Sequence, residues 1–387
     1  MSMASRAGEL GRQLRMLFLV ATALFVVTIV IGIINGLDLY EFDRNQLLTH
    51  VHSGTLGWLS LAVIAAAIWM TRSANRSLAL AFAILIPIYV LAFYSGNLQA
   101  RAITGTVLLV AMVWLFIWAW QRAMADRSLP TLAVALGITS FLYGGVIGVL
   151  LQVQLATGAA IFGADADVVG AHASTMVFSY LILAAMGVIE WRVKGTTDQP
   201  LLGIVQLLAL FGGGLLVAAV ILFAPDQLQA AGGFYLLLEL IAVVLFAIRV
   251  LPAAVRSDRS TAAASLWVVV AMGIFMYFVA AFITAADPAV LNFGIAVASD
   301  HAAFIGVMTN LLIGLMLALA ADRADGTGML HTFAFWVMNL GLLAFLAGLI
   351  TDTAILKQIG APSMGVALLV LLAIATAQLR ASDLSAA

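Results

Sequence analysis

The sequence predicts an all-α integral membrane protein of about twelve transmembrane helices, and three observations point to this fold class. Of its 387 residues, 64% are hydrophobic and 9% are charged, whereas soluble domains are about half apolar and about a quarter charged. Apolar stretches of about 20 residues, the length that crosses the hydrocarbon core, recur along the whole chain. The segments between them are short, so a separate soluble domain has no room to fold.

The predicted spans follow from the apolar stretches, and proline marks most of their ends. Twelve stretches qualify, at residues 13–35, 47–71, 77–96, 100–121, 130–156, 166–191, 201–223, 230–251, 262–285, 291–321, 330–351 and 362–380. Prolines at or near the predicted ends are Pro130, Pro200, Pro225, Pro252, Pro288 and Pro362. Pro87 lies inside span 3 and is expected to kink it. The first stretch lacks a small-residue cleavage site, so we expect span 1 to be retained.

The distribution of Lys and Arg predicts the orientation. If the N-terminus is cytoplasmic, three of the 17 Lys and Arg residues fall outside: Arg44, Arg101 and Lys357. The others fall inside: Arg6, Arg12, Arg15, Arg72, Arg76, Arg122, Arg127, Arg192, Lys194, Arg249, Arg256, Arg259, Arg323 and Arg380. An even number of spans then places both termini in the cytoplasm of a bacterial cell, with the chain in its cytoplasmic membrane.

Charge and cysteine content exclude several classes of function. The formal net charge is −1, which provides no basic surface for nucleic acid. Cysteine is absent, which excludes disulfides, thiolate metal sites, thioether-linked haem and a cysteine nucleophile. Any metal must therefore be held by nitrogen, oxygen or Met sulfur.

Four of the five histidines are predicted to lie at one depth. In the assigned orientation, spans 2, 6 and 10 run inward from the outer face, and they place His50, His52, His172 and His301 about 5–15 Å below it. Ionisable groups inside a membrane are costly and usually functional. His331, at the start of span 11 beside Asp325, lies at the inner face and is interpreted as an interfacial residue.

A weak internal repeat relates three of these histidines. His52, His172 and His301 are each followed by two small residues and, at the fourth following position, by an apolar one. Their separations of 120 and 129 residues each match four transmembrane helices. Residues 1–387 are therefore predicted to form a single transmembrane domain of three pseudo-symmetric four-helix units, at about 13–121, 130–251 and 262–380.

The spacing of His50 and His52 favours a haem over a bare metal ion. Residues two apart on a helix point about 200° apart, so these imidazoles reach ligands on opposite sides of span 2. A metal site on one helix face would need spacings of three or four instead. Neutral imidazole is a common axial ligand of haem iron.

Twelve helices in three units, with histidines near the outer surface on helices 2, 6 and 10, resemble the catalytic subunit I of haem-copper oxidases and nitric oxide reductases. The segment from His50 through His52 to Gly57-Trp58 is similar to a His-Val-His segment of the C-family oxidases, where it lies on helix 10. By position, the resemblance implies that His52 (or His50) and His301 are axial ligands of the low-spin haem. His172 occupies the place of a copper ligand.

The chain departs from that family at the copper site. Span 7 reads Phe211-Gly212-Gly213-Gly214 where the family has two adjacent histidines, and Ala303 replaces the second histidine of helix 10. Met176 stands where many oxidases have a tyrosine. The complete three-histidine copper site is therefore not expected, and copper is predicted to be absent or partial.

The sequence thus predicts a membrane haem protein with one or two haems b. His52 and His301 would hold one haem, and His50 and His172 would flank a second, or His172 would bind a lone metal. The predicted chemistry is electron transfer, or binding and reduction of NO or O2 by an oxidoreductase, with membrane lipids as surroundings and quinol or cytochrome c as electron donor. A secondary transporter and a non-catalytic assembly or gas-sensing subunit remain alternatives.

Other polar residues in or near the spans have several interpretations. Glu239 within span 8 relays protons, pairs with a cation or packs as a protonated acid. Arg44 and Arg101 pair with haem propionates, or they snorkel or form ion pairs at the surface. Glu190 is interpreted as an interfacial anchor, and Asn310 and Asn339 as residues that hydrogen-bond between helices.

Overall fold

The computed structural model describes residues 3–195, 200–285, 290–320 and 328–382, with side chains from residue 8. Pro288, Arg323 and Asp325 lie outside the described residues, as does the side chain of Arg6. Within these ranges, twelve helices are long and apolar enough to cross a membrane, which confirms the predicted multi-span helical class. They are α1 (Met3–Gly36), α2 (Arg44–Met70), α3 (Arg76–Tyr94), α4 (Leu98–Asp126), α5 (Leu129–Thr157), α6 (Val168–Lys194), α7 (Leu201–Phe223), α8 (Pro225–Arg249), α9 (Arg259–Thr284), α10 (Gly294–Leu319), α11 (Gly328–Ile350) and α12 (Ala354–Ala381).

Short polar side chains set several helix starts. At α2, Asp43 accepts a hydrogen bond from the backbone N–H of Gln46, whose side chain accepts one from the backbone N–H of Asp43, both at 2.9 Å. Asn75 caps α3 and Ser128 caps α5 through the first kind of bond alone: each side chain accepts a hydrogen bond from the backbone N–H three residues later. These bonds satisfy backbone N–H groups that the first helical turn leaves without partners.

Three helices are far more buried than the rest. The apolar stretches of α2, α6 and α10 are 78%, 78% and 83% buried, whereas the other nine range from 28% to 56%. These are the three helices that carry the four histidines. Each is the second helix of a predicted four-helix unit.

The same three helices share a local widening of the backbone. Each contains a π-helical segment, at Ser53–Ser60, Thr175–Leu181 and Ala302–Thr309. Each segment begins within a few residues of a histidine. π-helical turns are rare and concentrate at functional sites. Their recurrence beside the histidines therefore indicates that these parts of the three helices are candidates for a functional site.

The chain divides into two compact units whose boundaries cut across the predicted repeat. Unit 1 comprises Met1–Gly96 and Phe304–Ala387, and unit 2 comprises Asn97–Ala303. In unit 1, α1 packs on α2 and α12, and α11 packs on α12. In unit 2, α5 packs on α4 and α6, and α8 packs on α7 and α9. The division into three four-helix units stays a prediction.

The predicted start of span 12 at Pro362 is wrong. Pro362 lies inside α12, which begins eight residues earlier at Ala354. The segment before Pro362 packs backbone to backbone against α11: a Cβ on Gly360 would meet the main chain of Phe345 and Gly341. This close contact stabilises the helix through the proline, because tertiary packing outweighs local propensity.

Substituting Gly360 by Ala tests this backbone contact. The added methyl would lie 2.7 Å from the Gly341 carbonyl oxygen, and neither main chain can move independently. We expect the variant to lose about 1–3 kcal/mol, the usual cost of overpacking, measured by thermal unfolding in detergent. Gly273→Ala is the matched control, since a Cβ there meets nothing within 4 Å. Equal melting temperatures for the two variants would contradict the contact.

Polar side chains join α10 to its neighbours within unit 1. Asn310 and Asn339 exchange hydrogen bonds between α10 and α11, at 3.0 and 3.3 Å, which confirms that both hydrogen-bond between helices. Trp58 is fully buried, stacks on Phe25 and donates from Nε1 to Thr309 Oγ1 at 3.0 Å. This bond links the π-helical segments of α2 and α10. The tryptophan of the Gly57-Trp58 motif is therefore a packing residue.

An ion cluster in unit 2 corrects the interpretation of Glu190 as an interfacial anchor. Glu190 is only 2% exposed, and its carboxylate lies 2.7 Å from the Arg249 guanidinium of α8. Arg249 also donates to Gln206 Oε1 of α7 at 2.7 Å, and Lys194 Nζ lies 4.0 Å from Glu190. The cluster therefore ties α6, α7 and α8 together from inside the bundle.

A second ion pair joins α6 to the start of α9. Arg192 lies 3.0 Å from the carboxylate of Asp258, which also accepts hydrogen bonds from the backbone and hydroxyl of Thr261. Partial burial works against the ionised carboxylate, but the bonds from Thr261 and Arg192 outweigh it and lower the pKa of Asp258. Asp258 thus acts as a charged N-cap of α9.

Candidate functional site

His50 is held against the preceding helix. Its Nδ1 lies 2.9 Å from the backbone carbonyl oxygen of Thr28 in α1. One turn further along α1, Gly32 leaves room for the ring, because a Cβ there would lie 3.1 Å from His50 Cε1. The hydroxyl of Thr28 also bonds Ser53, the first residue of the π-helical segment, at 2.6 Å. The ring orientation is therefore set by α1.

His172 repeats this arrangement in unit 2. Its Nδ1 lies 2.8 Å from the backbone carbonyl oxygen of Gly144 in α5. One turn further along α5, a Cβ on Gly148 would lie 2.8 Å from His172 Cε1. In both cases the preceding helix supplies a carbonyl acceptor and, four residues later, a glycine that accommodates the imidazole.

His52 and His301 are held in a different manner, by their own helices. His52 Nδ1 lies 2.7 Å from the carbonyl oxygen of Leu48, and His301 Nδ1 lies 2.8 Å from that of Val297. Each acceptor is four residues earlier in the same helix. The His52 ring also stacks on Phe93 of α3, with ring centroids 3.8 Å apart. His50 and His52 therefore contact α1 and α3 respectively, as their 200° separation predicts.

The position of each histidine relative to its π-helical segment gives the same two classes. His50 and His172 stand three residues before their segments, whereas His52 and His301 stand one residue before theirs. The internal repeat in the sequence relates His172 to His52, but the structure relates His172 to His50. The corresponding positions without histidine are Ser174 and Ser299. A short sequence string does not reveal this two-residue offset, because His52, His172 and His301 are each followed by two small residues.

The four hydrogen bonds define the coordinating atom of each ring. A carbonyl oxygen can only accept, so each Nδ1 carries the hydrogen and each Nε2 of a neutral ring carries the lone pair. Metal-binding histidines typically donate their other N–H to such an acceptor, which fixes the tautomer and raises ligand basicity. All four rings are half-buried. Each neutral ring therefore has its lone pair on Nε2.

Each histidine offers one nitrogen lone pair. Among the described residues, no group of three or more His, Cys, Asp or Glu side chains is arranged to hold a metal ion. A haem supplies four of the iron's ligand atoms itself and needs one or two imidazoles from the protein. One imidazole oriented through Nδ1 is enough for such an axial bond.

The remaining predicted polar residues are placed as follows. Arg44 is exposed at the first turn of α2, whereas Arg101 is buried in α4, only 3% exposed. Burial of Arg101 excludes simple snorkelling to the surface. Asp300 is half-buried beside His301, and His331 lies in the first turn of α11.

Sequence reasoning missed the carbonyl and glycine pairs that hold His50 and His172. Thr28 and Gly32, and likewise Gly144 and Gly148, have the spacing of small residues at helix contacts. This spacing was a usable signal, but it is common in membrane helices, and only the contacts show which pairs face a histidine. The π-helical segments have no comparable signal in the sequence.

No protein-family model and no curated protein sequence matches this chain at a significant level.

Proposed function

We propose that this chain is a haem protein of the bacterial cytoplasmic membrane, with an arrangement like that of haem-copper oxidase catalytic subunits and both termini in the cytoplasm. The observation that supports this best is the set of four imidazoles on the three most buried helices. Each has its Nδ1 hydrogen directed to a backbone carbonyl. Their Nε2 atoms are thereby prepared for coordination.

The two classes of histidine suggest two roles. We assign His52 and His301, which bond to their own helices, as axial ligands of haem b. His50 and His172, which bond to the preceding helix, would serve a second haem, or His172 would bind a separate metal. The backbone acceptors hold each ring in one tautomer. Gly32 and Gly148 leave room for the rings of His50 and His172, which a side chain at either position would displace.

A bound haem would supply one-electron redox chemistry and a position for a diatomic gas such as NO or O2. The chain's own residues bind and orient it, and the apolar surroundings favour neutral imidazole. We propose quinol or cytochrome c as the electron donor. Because α7 places glycines where the related oxidases have copper-binding histidines, we propose that copper is absent or partial.

Cofactor content tests this function. We expect protein purified after expression with adequate haem to show a Soret band that shifts on reduction. One or two haems b per chain should be extractable, since no cysteine tethers them. Copper, measured by elemental analysis, should be substoichiometric and dispensable for any activity.

Two outcomes would contradict the proposal. Folded protein that contains no haem would remove its basis and favour a transporter of the same architecture. One tightly held copper per chain, lost in His172→Ala, would show that a copper site forms without histidines on α7.

A further inference from the structure

We propose that Glu239 in α8 is a reversible proton-binding site inside unit 2, with the Tyr235 phenol as the hydrogen-bond donor to its ionised form. This inference is independent of haem binding. It concerns a buried acid that has no part in the histidine arrangement.

The evidence begins with burial and with missing partners. Glu239 is 0% exposed and Tyr235 is 1% exposed. Both carboxyl oxygens of Glu239 and the phenol oxygen of Tyr235 are buried without a hydrogen-bond partner. Buried polar atoms are nearly always hydrogen-bonded, so three such oxygens in one place require an explanation.

The two side chains share one face of α8. They are four residues apart, which places them on adjacent turns of that face. Gly213 of α7 leaves room for the side chains of Glu239 and Tyr235. A Cβ there would lie 3.0 Å from Glu239 Oε1 and 3.3 Å from the Tyr235 ring.

Among the described residues, the elements packed on α8 place no cation beside Glu239. α7 contains no ionisable residue, nor does the short helical turn Leu251–Ala254 after α8. From α9, Phe275 meets the Tyr235 ring edge-on; that helix carries Arg259 at its first residue and Tyr277, which is 62% exposed. Arg249 at the end of α8 is bound to Glu190 and Gln206.

Comparison with Glu190 shows what this means. Glu190 is equally buried, but Arg249 compensates its charge. Glu239 has no such cation, and an uncompensated carboxylate in a low-dielectric interior is far costlier than the neutral acid. The site therefore binds a proton in place of a cationic side chain. A proton needs one oxygen atom, whereas a metal cation would need a fuller shell than these three oxygens.

Proton release conserves atoms and charge in a simple step. The O–H bond of the Glu239 carboxylic acid breaks, and the proton passes to a water molecule as hydronium. The Tyr235 phenol keeps its proton and turns to donate a hydrogen bond to the carboxylate. Proton uptake reverses both movements.

Infrared spectroscopy of the full chain in lipid tests the site. We expect a carbonyl stretching band of a protonated carboxylic acid that shifts in D2O and disappears as pH rises. Glu239→Gln should lose the band, and Glu190→Gln should retain it. Tyr235→Phe keeps the ring and should move the disappearance to higher pH, because the carboxylate then lacks its donor.

Several outcomes would overturn the proposal. These are a band absent at all pH values, a band retained in Glu239→Gln, and a band that neither shifts in D2O nor changes with pH. The last would describe a permanently protonated packing residue. Loss of the band on adding Na+ at constant pH would instead show a sodium site. If Glu239→Gln does not fold, labelling of wild-type protein with a hydrophobic carbodiimide gives a second readout, expected at Glu239 and not at Glu190.

Discussion

Replacing His52 or His301 by Ala is expected to abolish the low-spin haem spectrum or to release haem. Each ring is fixed by its own helix with the lone pair of its neutral form on Nε2, and Ala would leave the proposed haem iron without that axial bond. The bond is about 2 Å long for metal–imidazole contacts, so no neighbouring side chain replaces it without rearrangement. Optical and electron paramagnetic resonance spectra of the reduced and oxidised protein measure the change. If both residues serve one iron, either single variant should remove its whole low-spin signal; if they serve separate irons, each should remove only part of the total.

His331→Ala is the matched control for these variants. His331 lies in the first turn of α11, and the orientation predicted from the Lys and Arg distribution places it at the opposite face of a core about 30 Å thick. Its removal should leave the spectrum unchanged. The assignment fails if His331→Ala removes the low-spin signal while His52→Ala and His301→Ala both keep it.

Arg249→Leu is expected to give the largest loss of stability in unit 2, about 3–5 kcal/mol, the usual cost of breaking a buried ion pair from one side. The substitution leaves Glu190 at 2% exposure with Lys194 Nζ at 4.0 Å and without its 2.7 Å contact. It also removes the hydrogen bond to Gln206. Thermal or denaturant unfolding in detergent measures the effect.

Two further variants show whether the lost stability comes from the Glu190 carboxylate after its contact with Arg249 is removed. Lys357→Ala breaks an ion pair whose Asp352 is 84% exposed, so it should cost about 0–1 kcal/mol. The double variant Glu190→Leu with Arg249→Leu removes both charges and should recover much of the stability. A single Arg249→Leu variant as stable as Lys357→Ala would mean that the cluster contributes little.

The number and approximate position of the helices follow from the sequence alone. Crossing hydrocarbon requires about 20 apolar residues whatever the neighbours are, and a membrane leaves backbone groups no alternative to internal hydrogen bonds. The N-caps Asp43, Asn75 and Asn97 also depend on local sequence, because each side chain accepts a hydrogen bond from a backbone N–H three residues later. Local rules failed at Pro362, where close packing of α12 on α11 extends the helix through a proline.

The sequence also determined which residues were candidates for chemistry, because five histidines in so apolar a chain are each conspicuous. It did not reveal how they are held. The match of His172 with His50 rests on the carbonyls of Gly144 and Thr28, which lie 28 and 22 residues away along the chain. Backbone carbonyls are present at every residue and carry no sequence signal.

Only the tertiary structure showed what surrounds the two buried glutamates. In sequence, Glu190 stands at the end of span 6 beside Arg192 and Lys194, and Glu239 stands within span 8. Packing places Arg249 beside Glu190 and Gly213 beside Glu239. The charge state of a buried carboxyl depends on the few groups within hydrogen-bonding distance, and distant segments of the chain supply those groups. Hydrophobicity along the chain therefore determined the helices, whereas contacts between helices decided what the polar side chains on them can do.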